Sequence, residues 1–240
     1  MTTLRKDYLL TAVLLLMTAF VSCKKDPVSG SSSSNDDASI INATVVNGDD
    51  YNGYIATVKA MTGYEDDDDW YEYELVSGKY ANGGFKLTLP ATVSDKYLWD
   101  ITDAFEFDDF QGTISDPKAK IVGMWTEAYD KNDEDIGEFY CEKYYDSDNW
   151  MEYVYVDRNV TIKGYDDEYG DEYDCSFTKG WNIMYIIIAT NYEWTYTTTK
   201  PSGINYKWYF YDESDWKKSP SDKGKHQHSF FKMQLNSLSK

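Results

Sequence analysis

Asn82-Gly83-Gly84-Phe85-Lys86-Leu87-Thr88-Leu89-Pro90 is the stretch that decides the fold class. Phe85, Leu87 and Leu89 alternate with Lys86 and Thr88, so the segment has one apolar and one polar face, as a half-buried strand does. Asn82-Gly83-Gly84 supplies the turn that opens it, and Pro90, which has no N–H for a ladder, stops it. Most of the chain repeats the pattern. Ile41 to Val46 runs into the turn Asn47-Gly48-Asp49-Asp50, and Ile55 to Met61 follows. Tyr71, Tyr73 and Leu75 alternate with Glu72 and Glu74, giving one apolar and one acidic face. After Ser115-Asp116-Pro117 come Ile121 to Tyr129, Gly137 to Tyr145, Met151 to Val156, Val160 to Ile162 and Tyr173 to Phe177. Trp181 to Ala189 is apolar on both faces around Ile186-Ile187-Ile188, as a central strand covered on each side would be. Trp194 to Thr199 and Tyr206 to Tyr211 flank the turn Lys200-Pro201-Ser202-Gly203. Tyr97 to Phe110 is the most helix-like block. The expectation is an all-β protein, an antiparallel β-sandwich.

An internal echo bears on its division. Val58 to Tyr64 ends on Gly63-Tyr64, enters an acidic run and returns through Glu72-Tyr73-Glu74; Val160 to Tyr165 ends on Gly164-Tyr165 and returns through Glu172-Tyr173-Asp174. Two related sandwich halves, 40–115 and 116–240, are one reading, and chance in a chain rich in Tyr and Asp is the other.

The N-terminus carries an address. Arg5 and Lys6 precede the apolar run Leu9 to Val21, which is too short for a membrane span and is followed by Ser22-Cys23-Lys24-Lys25-Asp26. This resembles a bacterial lipoprotein signal. The resemblance implies that residues 1–22 are removed and that Cys23 becomes an acylated N-terminus, with 23–39, including Ser31 to Ser34, as a flexible tether. Two or more acyl chains suffice to hold a soluble domain on a membrane. Ser77 to Pro90 and Lys179-Gly180-Trp181-Asn182 are similar to segments recurring in uncharacterised Bacteroidetes surface lipoproteins. That resemblance implies a lipid-anchored outer-membrane protein at the cell surface, with the periplasmic face as the alternative, and it transfers no functional residue.

The formal net charge of −19 disfavours a nucleic-acid partner, because phosphate binding needs a basic surface. Lys217, Lys218, Lys223, Lys225 and Lys232 form a contrasting basic segment at the C-terminus. Of the three cysteines, Cys141 and Cys175 remain after Cys23 as a candidate disulfide or as two buried thiols.

No motif for a nucleophile, a zinc protease or a phosphate loop is present, and the two histidines, His226 and His228, lie in the basic segment. The chain is therefore read as non-catalytic, with no cofactor and no metal site. The acidic runs Glu65 to Asp69 and Asp166 to Glu172 are read as solvated hairpin tips. The aromatics point elsewhere. With 23 Tyr and 8 Trp the chain holds more rings than a core requires, and rings beside carboxylates suit sugars, whose apolar faces stack and whose hydroxyls donate. Trp70, Trp99, Trp125, Trp150 and Trp194 are the candidate ligand-binding residues, with Trp216 a further one; Trp181 and Trp208 read as core. A non-catalytic ligand-binding protein, with a glycan as its candidate ligand, is the first functional expectation. A structural or adhesive surface protein acting through protein–protein contacts is the alternative, and a glycoside hydrolase the third reading.

Overall fold

Period-two alternation leaves each strand with two faces to satisfy, and the fold answers by giving both faces of its central strands a core. In this computed structural model residues 38–66, 69–105, 110–167, 170–190 and 193–213 are described. The expected leader, Cys23, residues 24–37 of the expected tether, Trp216, both histidines and the lysine-rich C-terminal segment lie outside them; Ala38, at the end of the expected tether, is buried instead.

Fourteen strands are joined in one sheet network. They are β1 (Ile40–Thr44), β2 (Thr57–Asp66), β3 (Asp69–Ala81), β4 (Gly84–Thr88), β5 (Trp99–Asp100), β6 (Phe110–Ile114) and β7 (Lys120–Tyr129). Then follow β8 (Asp135–Glu142), β9 (Asn149–Val156), β10 (Val160–Asp166), β11 (Glu172–Phe177), β12 (Gly180–Ile188), β13 (Trp194–Thr197) and β14 (Lys207–Asp212). The main path runs β1-β4-β3-β2-β7-β8-β9-β12-β13-β11-β10-β6, with β14 on β8 and β5 on β7. All ladders between these strands are antiparallel except β11 with β13. The all-β expectation holds. Among the described residues of the helix-like block only α1 (Ile101–Ala104) is α-helical.

The halves expected for 40–115 and 116–240 are not separate bodies. β2 ladders with β7, and β6 with β10, each across the expected seam, and all the described residues belong to one compact unit. Hairpins do form where the echo placed them, with Tyr64 opposite Tyr71 and Tyr165 opposite Glu172.

The two cores share strands. Along β9, Tyr153 and Tyr155 enter one core while Trp150, Val154 and Val156 enter the other. On β7, Val122 and Met124 face the first and Ile121 the second; on β12, Trp181 faces the first and Met184 and Ile186 the second. β12 is thus the doubly covered strand expected from its sequence. The first core is closed by β1 to β4, with Ile41, Phe85 and Leu87; the second by α1, β10 and β11, with Ile101, Ile162 and Phe177. The Trp181 indole N–H donates to Pro90 O at 2.8 Å and ties β12 to the end of β4.

β7 changes partner partway along. Its first half pairs with β9 as far as Met124–Tyr153, and its second half pairs with β8 from Thr126–Phe139 onward. A cavity of about 30 Å³, room for roughly one water, is lined at this junction by Trp125, Tyr140, Cys141, Glu152 and Tyr153. The outer edge of β14 is closed by the Val46 N–H, which donates to Trp208 O at 2.8 Å, and by the next side chain. Asn47 Nδ2 donates to Phe210 O at 2.8 Å, and the Phe210 N–H donates to Asn47 Oδ1 at 2.9 Å.

Candidate functional site

Beyond the core, β2 and β3 continue as a projecting ribbon whose cross-strand pairs set its faces. Ala60 opposes Val76, Thr62 opposes Tyr73 and Tyr64 opposes Tyr71. Between the first two pairs the register shifts, because Met61 opposes Glu74 and Leu75 is the extra residue of a bulge. The bulge turns Tyr71 and Tyr73 onto the face that carries Val76 and, further down, Tyr80. Glu72 and Glu74 take the opposite face, where Lys59 lies 3.9 Å from Glu74 and 2.7 Å from Asp133.

A short 3-10 turn, Asp95–Tyr97, lies against this tyrosine face. Tyr73 stacks on Tyr97 with centroids 4.3 Å apart, Tyr64 meets Tyr97 edge-on at 5.1 Å, and Tyr71 stacks on Tyr64 at 5.4 Å. Tyr97 is buried and anchors the set, while Tyr71 and Tyr73 are 44 % and 42 % exposed. The Lys96 ammonium sits 4.4 Å from the Tyr97 centroid, 5.4 Å from that of Tyr64 and 5.9 Å from that of Tyr73. A hydrogen bond to the Tyr97 side chain holds it above its ordinary pKa. The result is a rigid, solvent-facing aromatic surface with a cation at its rim.

The tryptophans chosen from sequence do not form such a surface. For Trp70 the backbone alone is described, opposite Glu65. Trp125 and Trp150 are buried, which corrects the expectation that they are ligand platforms. Trp99 is half-buried and packs against both cores. Trp194 is half-buried and edge-on to Trp150, with centroids 5.5 Å apart. The physical reason is parity. In a strand, residues two apart share a face, so the carboxylate that seemed to mark a sugar site instead accepts the indole N–H of its own strand. Trp125 donates to Glu127 at 2.5 Å and Trp150 to Glu152 at 3.0 Å.

That arrangement extends into a buried row. Glu127 also accepts from the Tyr129 hydroxyl at 2.7 Å, and Glu138, directly opposite Glu127, accepts from Tyr140. Glu142 accepts from the Tyr211 hydroxyl at 2.6 Å, which in turn accepts the Asp146 N–H at 2.5 Å, and Tyr145 stacks on Tyr211 at 4.4 Å. Glu127, Glu138, Glu142 and Glu152 are all buried. Burial pushes the Glu142 carboxyl up to about 7, outweighing the Tyr211 bond that favours its charge. Burial likewise raises the phenols of Tyr140 and Tyr211.

Cys141 and Cys175 are free thiols, so the candidate disulfide is not formed. They sit on β8 and β11, which are not neighbours in the sheet, and burial raises both pKa values. Among the described residues no three His, Cys, Asp or Glu side chains gather as a metal site would require, and no helix is long and apolar enough to cross a membrane.

Comparison of the chain with protein-family models, curated proteins and solved structures gives no match. The tyrosine face was missed because sequence reading placed Tyr71 and Tyr73 on the apolar side together with Leu75, and so inward. The available signal was that strict alternation of Tyr and Glu over four residues leaves no carboxylate on the tyrosine side.

Proposed function

We propose that this chain is a non-catalytic, lipid-anchored cell-envelope protein that binds a glycan on the tyrosine face of its β2–β3 ribbon. The observation that carries the reading is the pair Tyr71 and Tyr73, exposed yet fixed in place by Tyr64 and Tyr97. Rings already immobilised lose little freedom when a sugar stacks on them, so more of the contact energy appears as affinity. The non-catalytic part is supported by where four of the glutamates lie. They are buried and bonded to rings of the sheet, not opposed across an open cleft as glycoside hydrolysis requires. The envelope address is supported by Arg5, Lys6, the apolar run and Cys23, the features of a lipoprotein signal.

Affinity gel electrophoresis against a polysaccharide panel tests the binding. Retardation by at least one polymer, lost in a Tyr71→Ala/Tyr73→Ala variant that still melts cooperatively, is expected; equal mobility of both proteins in every gel would dismiss the site. Metabolic labelling with an alkyne fatty acid, abolished by Cys23→Ser, tests the anchor.

A further inference from the structure

The rim of the tyrosine face carries a charge of the opposite sign to the molecule. Lys96 is exposed and touches Tyr64, Tyr73 and Tyr97 through its ammonium. Its neighbour Asp95 is already engaged by Lys120 at 3.5 Å, and among the described residues Lys96 enters no ion pair. Glu72 and Glu74 project from the other side of the ribbon. In a chain of formal charge −19, an uncompensated cation held on an aromatic surface is the local exception.

We infer that the tyrosine face takes an acidic sugar, with the ring of a uronate residue stacked on Tyr71 or Tyr73 and its carboxylate on the Lys96 ammonium. The inference rests on the glycan reading and specifies which glycans. Stacking alone is blind to charge, because every pyranose offers an apolar face. The lysine adds a second, directional contact that only an anionic sugar completes. The bulk acidity opposes this at long range, but at physiological ionic strength charges beyond about 8 Å are largely screened, whereas direct contact is not. Exposed pairs are weak, so the expected preference is about three- to fivefold.

The test uses isothermal titration of the full mature domain with uronate oligosaccharides of several linkages, each paired with its carboxyl-reduced, neutral counterpart. The ratio of the two affinities is compared between wild type, Lys96→Gln and Lys96→Arg, which cancels the repulsion common to all three. A ratio about three- to fivefold higher in wild type and Lys96→Arg than in Lys96→Gln supports the inference. An identical ratio in all three, with binding still lost in Tyr73→Ala, overturns it and leaves the glycan site standing. Absence of binding to both members of every pair, with no other polymer of the panel retained, overturns the glycan reading and the inference together.

Discussion

On the β2–β3 ribbon, Tyr71 and Tyr73 keep 44 % and 42 % of their surface, whereas Trp125 on β7 and Trp150 on β9 keep 4 % and 1 %. Both sets are aromatic, and both have carboxylates next to them in sequence. They differ in spacing. Tyr71-Glu72-Tyr73-Glu74 alternates at every residue, so acids and rings part to opposite faces. Trp125-Thr126-Glu127 and Trp150-Met151-Glu152 hold acid and ring two apart, so they share a face and bond to each other. Even spacing pairs the polar tip of the ring with an acid and lets both be buried, whereas odd spacing keeps the acids off the ring face; cover then decides exposure, since Tyr173, between Glu172 and Asp174, is buried against Phe105 and Phe110.

The most severe way to break this contrast is Trp150→Ala. It removes a ring from the second core and the indole bonded to Glu152, and about 4 kcal/mol of stability should go with it, read as a lower urea midpoint. The second test concerns the acids of the buried row. Glu142 titrates near 7 in the folded chain and near about 4.3 unfolded. Between these values the folded chain holds a proton that the unfolded chain has released, so stability falls as pH rises through that window. The loss attributable to this group is about 3 kcal/mol and is complete above its folded pKa. Glu142→Gln keeps an acceptor for Tyr211, so the variant should be more stable than wild type at pH 8 and level with it at pH 4.

A gentler test acts on parity itself. The exchange Tyr71→Glu/Glu72→Tyr/Tyr73→Glu/Glu74→Tyr keeps the register and moves the rings to the other side of the ribbon, in exchange for the acids. Ligand binding should vanish for about 1–2 kcal/mol of stability, the value of the two ring pairs lost at Tyr64 and Tyr97. Smallest in stability is Tyr73→Ala, with a loss of about 1 kcal/mol but a loss of polysaccharide retardation. A melting temperature that drops as far as in Trp150→Ala would mean that the two aromatic regions are alike after all.

The alternation in Phe85 to Leu89 and the unbroken apolar run in β12 made the strand class legible, since side-chain period is a local property. Strand order was not, because which edges meet depends on shape at long range. This is why β6 was placed with the first part of the chain although it pairs with β10. That pairing rests on a detail too small to read in advance. Gly164, at φ +155°, opposes Gly112, and a Cβ at Gly164 would come within 2.3 Å of Gln111 O. Carbon is excluded there by backbone, so the Gly-Tyr corner that looked like a repeat of Gly63-Tyr64 serves a close strand approach instead. The candidate site was half legible. Its chemistry, rings with polar neighbours, was visible, but the choice of tryptophan over tyrosine ignored that a Trp two residues from a Glu can satisfy itself.

Asn47 gives the sheet a property that concerns many molecules at once. An uncovered margin of backbone on β14 would recruit the same margin of another copy, and each addition would offer the next, so crowding would favour filaments. The Val46 backbone and the Asn47 amide, the latter offering a donor and an acceptor to the same residue, occupy that margin where a further strand would otherwise continue it. The molecule thereby stays a unit whose growth in that direction is terminated from within.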